Sequence, residues 1–526
     1  MKETSDVEFS QHQEDVPQEP GKIARRDFLK SSLVVGLATA SGALALNLGA
    51  STAEAAARKM PSKWDETFDV VVIGSGFAGL AAAAEAAGKG ASVVILEKMP
   101  IYGGNSIING GEYNAWTDGQ HLRETLKLGD DSAEWHKNDT LKGGDFLGYP
   151  ELVEVLAEGA PKALDWMVEE GGLKLRPIVN RAGGHSKYRT HTCVEASGRG
   201  YVEALRRIVD KRGAKVRLRN EVTWIWRKDT DGPILGVEVN TGRRKVNIAV
   251  RKGLVLASGG FSRDVAMRRI YVPYLDETFN CSNQKGATGE MIRYAKAIGA
   301  ETIHMSYIQL YPFADPETGT LDVEALFPFR GPGVGIVYVT EKGKRFVNEL
   351  ERRDVISNAE MKTGGKKTYS IFNHEMVVNM GSKEEEVEKG LARGRFVKAD
   401  SIAELAGKIG IDADVLVATI KQHNAYIKNK KDPDYQKNIT DRMVTLEQGP
   451  FYAVAQWPAV HHTMGGLRIN TNAQVLDIWG KIIPRLYAAG EVTGGVHGSN
   501  RLGANAIPDA TVFGRIAGTN AASGRV

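Results

Sequence analysis

The apolar run from Phe68 to Ile73 leads straight into Gly74-Ser75-Gly76-Phe77-Ala78-Gly79, and this junction restricts the fold most. Val70-Val71-Val72-Ile73 reads as a strand buried on both faces, as in a parallel sheet. An alanine-rich helix to about Gly88 should follow, then a second strand from Ser92 to Leu96 that ends at Glu97. The result is G-x-G-x-x-G between a strand and a helix, with an acid 23 positions after Gly74, the pattern of a dinucleotide site. Gly74 permits the tight turn, Gly76 admits a pyrophosphate, and Gly79 lets helix and strand pack closely. Free N–H groups and the positive dipole end of the helix face the phosphates. Glu97 is expected to accept hydrogen bonds from a ribose.

Other glycine clusters favour FAD over a nicotinamide cofactor. Gly103-Gly104-Asn105-Ser106 and Gly110-Gly111 follow the second strand, as though the backbone tracked a long extended ligand. A late strand, Leu254 to Ala257, ends at Ser258-Gly259-Gly260, and Ala489-Gly490-Glu491 lies near the C-terminus. Close after it, Gly498-Ser499-Asn500-Arg501-Leu502-Gly503-Ala504-Asn505 sets one arginine in glycine-rich backbone. Glycine lets a backbone approach a flat cofactor, and the guanidinium offers a planar fork for a carboxylate.

With 526 residues the chain has room for two or three domains. A net charge of +4 and no basic run interleaved with aromatics argue against nucleic-acid binding. Cys193 and Cys281 lie far apart and read as free or buried thiols; no Cys-x-x-Cys-His haem signal occurs. Residues 1–57 read as a twin-arginine export signal and leader: Arg25-Arg26, an apolar run from Ser31 to Ala50, and small residues at Ala53 to Ala57. The expected location is the periplasm.

These segments resemble the soluble fumarate reductase flavoproteins, the flavin part of flavocytochromes c, and the related urocanate reductases. The likeness runs from about Trp64 to the end. It is carried by Gly103 to Ser106, Gly110 to Asp118, Gly286-Ala287-Thr288-Gly289, Gly343 to Glu349, His461 to Gly466 and the C-terminal glycine–arginine run. The resemblance implies an α/β fold: a Rossmann-like FAD-binding domain, residues 64–305 and 464–526, interrupted by a smaller α+β capping domain, residues 306–463. It implies FAD contacts from Ala78, Glu97, Asn105, Ser106, Gly110, Gly111, Val222, Glu290, Glu491, Ala506 and Ile507, beside the glycines Gly74, Gly76, Gly79, Gly259 and Gly490. Glu290 stands where the family usually has aspartate. No histidine occupies the segment where membrane-bound relatives attach FAD covalently, so non-covalent FAD is expected. A helix opening at Ala506-Ile507 would aim its dipole at the isoalloxazine. The resemblance also implies a separate electron donor, naturally an exported c-type cytochrome.

Reduction of an electron-poor C=C bond needs hydride at the β-carbon, a proton at the α-carbon, and cations for the enolate-like charge. By resemblance the hydride comes from FAD N5, Arg501 clamps the substrate carboxylate, His462 hydrogen-bonds it, and Arg353 donates the proton. An arginine has a pKa above about 12, so it can act only if promptly reprotonated. The family's relay places a glutamate three residues before a second arginine. Arg330 matches that arginine, but Phe327 replaces the glutamate, leaving Glu349, Glu351, Asp354 or water as substitutes.

Fumarate enzymes hold a second carboxylate with a histidine and a threonine. Here Tyr311 stands for the histidine, and the threonine's place falls near Leu326-Phe327-Pro328-Phe329. An unpaired carboxylate buried there would cost several kcal/mol. The expectation is an α,β-unsaturated monocarboxylate of the methacrylate, cinnamate or urocanate kind, with Tyr311 offering a ring and a hydroxyl. The aspartate that urocanate reductases use for the imidazole is absent from Leu326 to Arg330. His185, Arg189 and His191 read as structural. Competing readings are succinate oxidation or fumarate reduction, steroid-ketone desaturation, and a flavin electron carrier, which would leave Arg353, His462 and Arg501 without a purpose.

Overall fold

Five parallel strands organise the larger sheet, in the spatial order Ile482–Ala488, Lys245–Leu256, Glu66–Ile73, Val93–Leu96 and Lys215–Arg217. The computed structural model describes residues 58–524. The export-signal reading of residues 1–57 lies outside them. Among the described residues, no helix is long and apolar enough to cross a membrane.

The expected strand–turn–helix unit is present as Glu66–Ile73, the turn at Gly74 to Gly76, the helix Phe77–Gly88 and the strand Val93–Leu96. Val70, Val71 and Val72 are fully buried, as a strand covered on both faces requires. Leu254, Val255 and Leu256 lie between this strand and Leu486, Tyr487 and Ala488, so the late strand ends beside the Gly74 turn. It is the end of a longer strand, Lys245–Leu256, that also carries an antiparallel extension. Small residues bring the C-terminal helix Ala506–Ser523 onto the first helix. A Cβ on Gly514 or Gly518 would meet the carbonyl oxygen of Ala78 or Ala82 at 2.5 or 2.0 Å. That contact fixes the start of the C-terminal helix against the dinucleotide turn.

A second, antiparallel sheet is built from Ile308–Ala314, Phe451–Thr463, Thr368–Asn373, Val337–Thr340 and Phe396–Ala399, with its own hydrophobic core. Its long strand Phe451–Thr463 leads back toward the first sheet, and His461 and His462 sit at that end. The helix Arg353–Lys362 packs on the strand Ile308–Ala314. A three-stranded sheet, Glu112–Asn114, Thr190–Cys193 and Leu175–Asn180, lies beside the C-terminal glycine–arginine run. Cys193 and Cys281 are both buried free thiols.

Candidate active site

A cavity extends from the Gly74 turn to Arg353 and Arg501, and it gathers nearly all residues expected to touch FAD. Gly74 adopts φ +99°, and a Cβ there would lie 2.3 Å from the Ala257 carbonyl oxygen. Only glycine suits that turn. Gly76 and Ala78 line the cavity, and Ser106 Oγ accepts from Phe77 N at the helix start (3.0 Å). Glu97 also lines it, but Ser75 already uses part of its capacity: Oε2 accepts from Ser75 Oγ at 2.6 Å. Asn105, Gly110, Val222, Gly490, Ala506 and Ile507 line the same space. Glu290 pairs with Lys98 at 2.9 Å. Burial pushes its carboxyl up, but the Thr288 hydrogen bond and Lys98 together hold it below the ordinary value.

Two glycines lie elsewhere. Gly79 faces the Gly74 carbonyl oxygen, 2.0 Å from where a Cβ would stand, which is the close helix–strand packing expected of it. Gly111 does not line the cavity, contrary to expectation: its φ is +67°, and a Cβ would strike the Ser197 backbone at 2.7 Å. It shapes the turn that presents Gly110.

The lining fits FAD. Gly259, with φ +77°, has nothing within 4 Å of a would-be Cβ, so its missing side chain is cavity space. Ser258 Oγ and Asp509 Oδ1 are buried polar atoms without partners on the cavity wall. Such atoms need a ligand or water. The 18-residue helix Ala506–Ser523 opens on the same wall.

At the other end stand two buried cations. Arg353 begins its helix, and its guanidinium lies over the rings of Tyr311 (4.8 Å) and Phe329 (5.1 Å). It donates to Gln309 Oε1 at 3.3 Å, and burial lowers its pKa to about 10. Arg501 Nη2 donates to the same oxygen at 3.2 Å. Burial, then the Arg353 charge, pushes Arg501 well below the ordinary arginine value. Among the described residues neither guanidinium forms an ion pair, and the Nε of each has no partner. Two desolvated positive groups without a counter-anion make a site for one.

The neighbouring histidines divide between two faces of their strand. His462 lies edge-on to His497 (5.5 Å), with Nδ1 3.7 Å from Glu491 Oε2. His461, which sequence reasoning passed over, packs against the Tyr311 ring at 5.0 Å, with Nδ1 2.7 Å from Ser282 Oγ. Burial and then the arginine charges push both well below the usual histidine value, so both are neutral. Glu491 is raised to about 7 by burial, while Thr463 N donates to its Oε1 at 3.0 Å.

Tyr311 does not offer its hydroxyl, contrary to expectation, because it donates to the Ala325 carbonyl oxygen at 2.8 Å. Only the ring is presented. Phe327 turns into the core of the second sheet against Phe372 and Phe396, leaving Leu326 and Phe329 as the apolar wall. Glu112 joins that wall, bound by Arg330 Nε at 2.7 Å and Thr192 Oγ1 at 2.7 Å. The ion pair of Glu112 is not legible in the Gly110 to Asp118 motif, because its partner is more than two hundred residues away.

His185, Arg189 and His191 belong to a buried network that supports the Arg501 loop. Asn114 Nδ2 donates to the Gly503 carbonyl oxygen at 2.8 Å, and His185 Nε2 lies 3.1 Å from it. Arg189 is held by Asp131 (2.8 Å) and Asp139 (2.9 Å), and His191 by Asp118.

A fold of this kind, with a dinucleotide cavity ending on buried arginines, defines a flavin oxidoreductase. Residues 69–507 match the FAD binding domain family, and the chain belongs to it, within the fumarate reductase flavoproteins. It is 39% identical to the urocanate reductase of Eggerthella lenta over 89% of this chain and 77% of that protein. It is 34% identical to the acrylate reductase flavoprotein subunit of Shewanella woodyi, over 94% of this chain and 97% of that one. A flavocytochrome c3 fumarate reductase in an open conformation superposes with a TM-score of 0.70 at 35% identity, covering 88% of this chain and 79% of the other. The protein is an FAD-dependent oxidoreductase acting on CH–CH bonds, and FAD is its cofactor.

Proposed function

We propose that this protein reduces the C=C bond of an α,β-unsaturated monocarboxylate, with FAD bound non-covalently. One observation carries the reading: Arg353 and Arg501 converge on a single cavity, neither ion-paired among the described residues, beside a wall of Leu326, Phe329 and the Tyr311 ring. Glu112 on that wall is already paired with Arg330, so it offers no free cation to a second substrate carboxylate. Bound FAD supplies the hydride for the β-carbon. Arg501 holds the carboxylate, the neutral His462 hydrogen-bonds it, and Arg353 delivers the proton to the α-carbon, while His461 is tied to Ser282 through Nδ1. Burial supports that last role, since a guanidinium near pKa 10 releases a proton far more readily than one in water. Urocanate and acrylate, which name two relatives, are both monocarboxylates.

The twin-arginine pattern at Arg25-Arg26 supports export to the periplasm and a respiratory role, with a c-type cytochrome as electron donor. The deciding experiment is a substrate panel with reduced viologen as donor, comparing fumarate, acrylate, methacrylate, cinnamate and urocanate. Monoacids should turn over best. Fumarate turnover far above every monoacid would overturn the reading. Arg353→Ala, with FAD still bound, should lose nearly all reduction.

A further inference from the structure

Each turnover leaves Arg353 as a neutral guanidine that needs a proton back. Of the nearby carboxylates, Glu349, Asp354 and Glu112 are already ion-paired, while Glu351 shares a small cavity with Arg353. Glu349 is fully buried between Arg345 (2.7 Å) and Lys437 (3.1 Å); although burial pushes it up, these cations hold its carboxyl at about 2. It is ionised and carries no proton to give. Asp354 is bound by Arg352 at 2.6 Å, and Glu112 by Arg330.

One acid is different. Glu360 is completely buried with no cation beside it, and burial raises its carboxyl to about 8, so at neutral pH it holds a proton. Its Oε1 accepts from Thr368 Oγ1 (2.6 Å) and Gln456 Nε2 (3.0 Å), while Oε2 has no partner. It lies seven positions after Arg353 on the same helix, and Ser357 stands between them. Residues three and four apart are neighbours on a helix face, so Arg353, Ser357 and Glu360 form one row. Each contributes a buried polar atom without a partner: Arg353 Nε, Ser357 Oγ and Glu360 Oε2. The opposing sheet carries the rings of Tyr311, Phe313 and Tyr338, in steps of 5.4 Å, with the neutral His461 packed against the Tyr311 ring and tied to Ser282. At the far end, Ala359 and Thr363 line a surface cleft with Thr340, the cross-strand partner of Thr368.

We propose that Glu360 is the proton store for Arg353, delivering through Ser357 along this face of the helix. The proposal rests on Arg353 as the proton donor. Arg353 gives one proton to the substrate α-carbon. The Ser357 hydroxyl, with water completing the file, passes one proton to the guanidine and takes one from the Glu360 carboxyl. Glu360 then regains a proton from solvent at the Ala359–Thr363 cleft. Electrons and heavy atoms are untouched in these transfers.

The test compares Glu360→Gln, Glu360→Asp, Ser357→Ala, Glu351→Gln and Arg353→Ala in the FAD-loaded enzyme. Glu360→Gln should lower kcat about tenfold or more, with KM and FAD content retained and a larger solvent isotope effect. Ser357→Ala should slow kcat in the same way, and Glu360→Asp should restore part of the rate. Infrared spectra at neutral pH should show the C=O stretch of a protonated carboxylic acid that disappears in Glu360→Gln. Normal kcat and isotope effect in Glu360→Gln, with Arg353→Ala inactive, would overturn the store alone. A slow Glu351→Gln beside a normal Glu360→Gln would also overturn it, directing protons through the small cavity that Glu351 shares with Arg353. If Arg353→Ala reduces substrate normally, the underlying donor assignment fails instead.

Discussion

Gln309 Oε1 accepts hydrogen bonds from both Arg353 (3.3 Å) and Arg501 (3.2 Å), tying the proposed proton donor to the proposed carboxylate clamp. Gln309 Nε2 in turn donates to Asn500 Oδ1 and the Arg501 carbonyl oxygen, at 2.6 and 2.7 Å. A neutral amide can hold two guanidiniums in place without cancelling their charge. A carboxylate at this position would act as a built-in substrate.

Gln309→Glu should therefore raise KM for the carboxylate substrate about ten- to hundredfold, roughly 1.4–3 kcal/mol, while FAD content stays normal. The added anion favours the charged form of Arg353, so its pKa should rise above about 10 and the alkaline limb of kcat should move to higher pH. Steady-state kinetics across pH would show it. An unchanged KM would mean that Gln309 does not separate the two charges.

Arg501→Lys keeps the charge and loses the planar fork. Its kcat/KM should fall at least about a hundredfold, because a point charge cannot grip a carboxylate with two parallel bonds. Titration of the oxidised protein with a saturated monocarboxylate should show the same loss in affinity.

Two glycine variants separate cofactor binding from folding. In Gly259→Ala the new methyl group enters open cavity at φ +77°, so FAD occupancy should drop sharply while the fold loses only the cost of a left-handed alanine, about 1 kcal/mol. In Gly74→Ala the methyl group meets the Ala257 carbonyl oxygen at 2.3 Å, so folding itself should suffer. Flavin absorbance per protein and thermal melts distinguish the outcomes. Removing FAD from the wild type should also lower Tm, since the ligand binds only the folded form.

Glu360 predicts a pH dependence of stability. Its carboxyl is near 8 when folded and near the ordinary 4.5 when unfolded, so between these values the folded form holds a proton the unfolded form has lost. The stabilisation is fully present below pH 4.5 and is lost as pH rises to about 8, by at most about 1.4 kcal/mol per pH unit. Glu360→Gln should flatten that part of the stability curve. Urea unfolding of both proteins at pH 5 and pH 8 checks it, and parallel slopes would refute it.

Local motifs exposed the cofactor half of the site well. Gly74, Gly76, Glu97 and Gly490 could be placed because each glycine or acid answers a backbone requirement a few residues away. Arg501 stood out for the same reason. The substrate half was harder to read. His461 and His462 are adjacent in sequence, and only the strand's orientation decides which faces Tyr311. Phe327 and Leu326 are likewise adjacent, yet one fills a core and the other lines the cavity. Gly111 looks in sequence like its neighbour Gly110, but its φ of +67° and its hydrogen bond to Asn109 serve the turn.

The sequence by itself determined the parallel sheet and the dinucleotide turn, because periodicity and glycine conformation are local properties; Arg353 was legible only through resemblance to the family. Tertiary structure decided the rest. It gave both guanidiniums the same amide oxygen on Gln309, turned the Tyr311 hydroxyl to Ala325, and set Arg330 on Glu112. Each of these depends on desolvation and on partners distant in the chain, and burial is settled only when the two sheets close on one another.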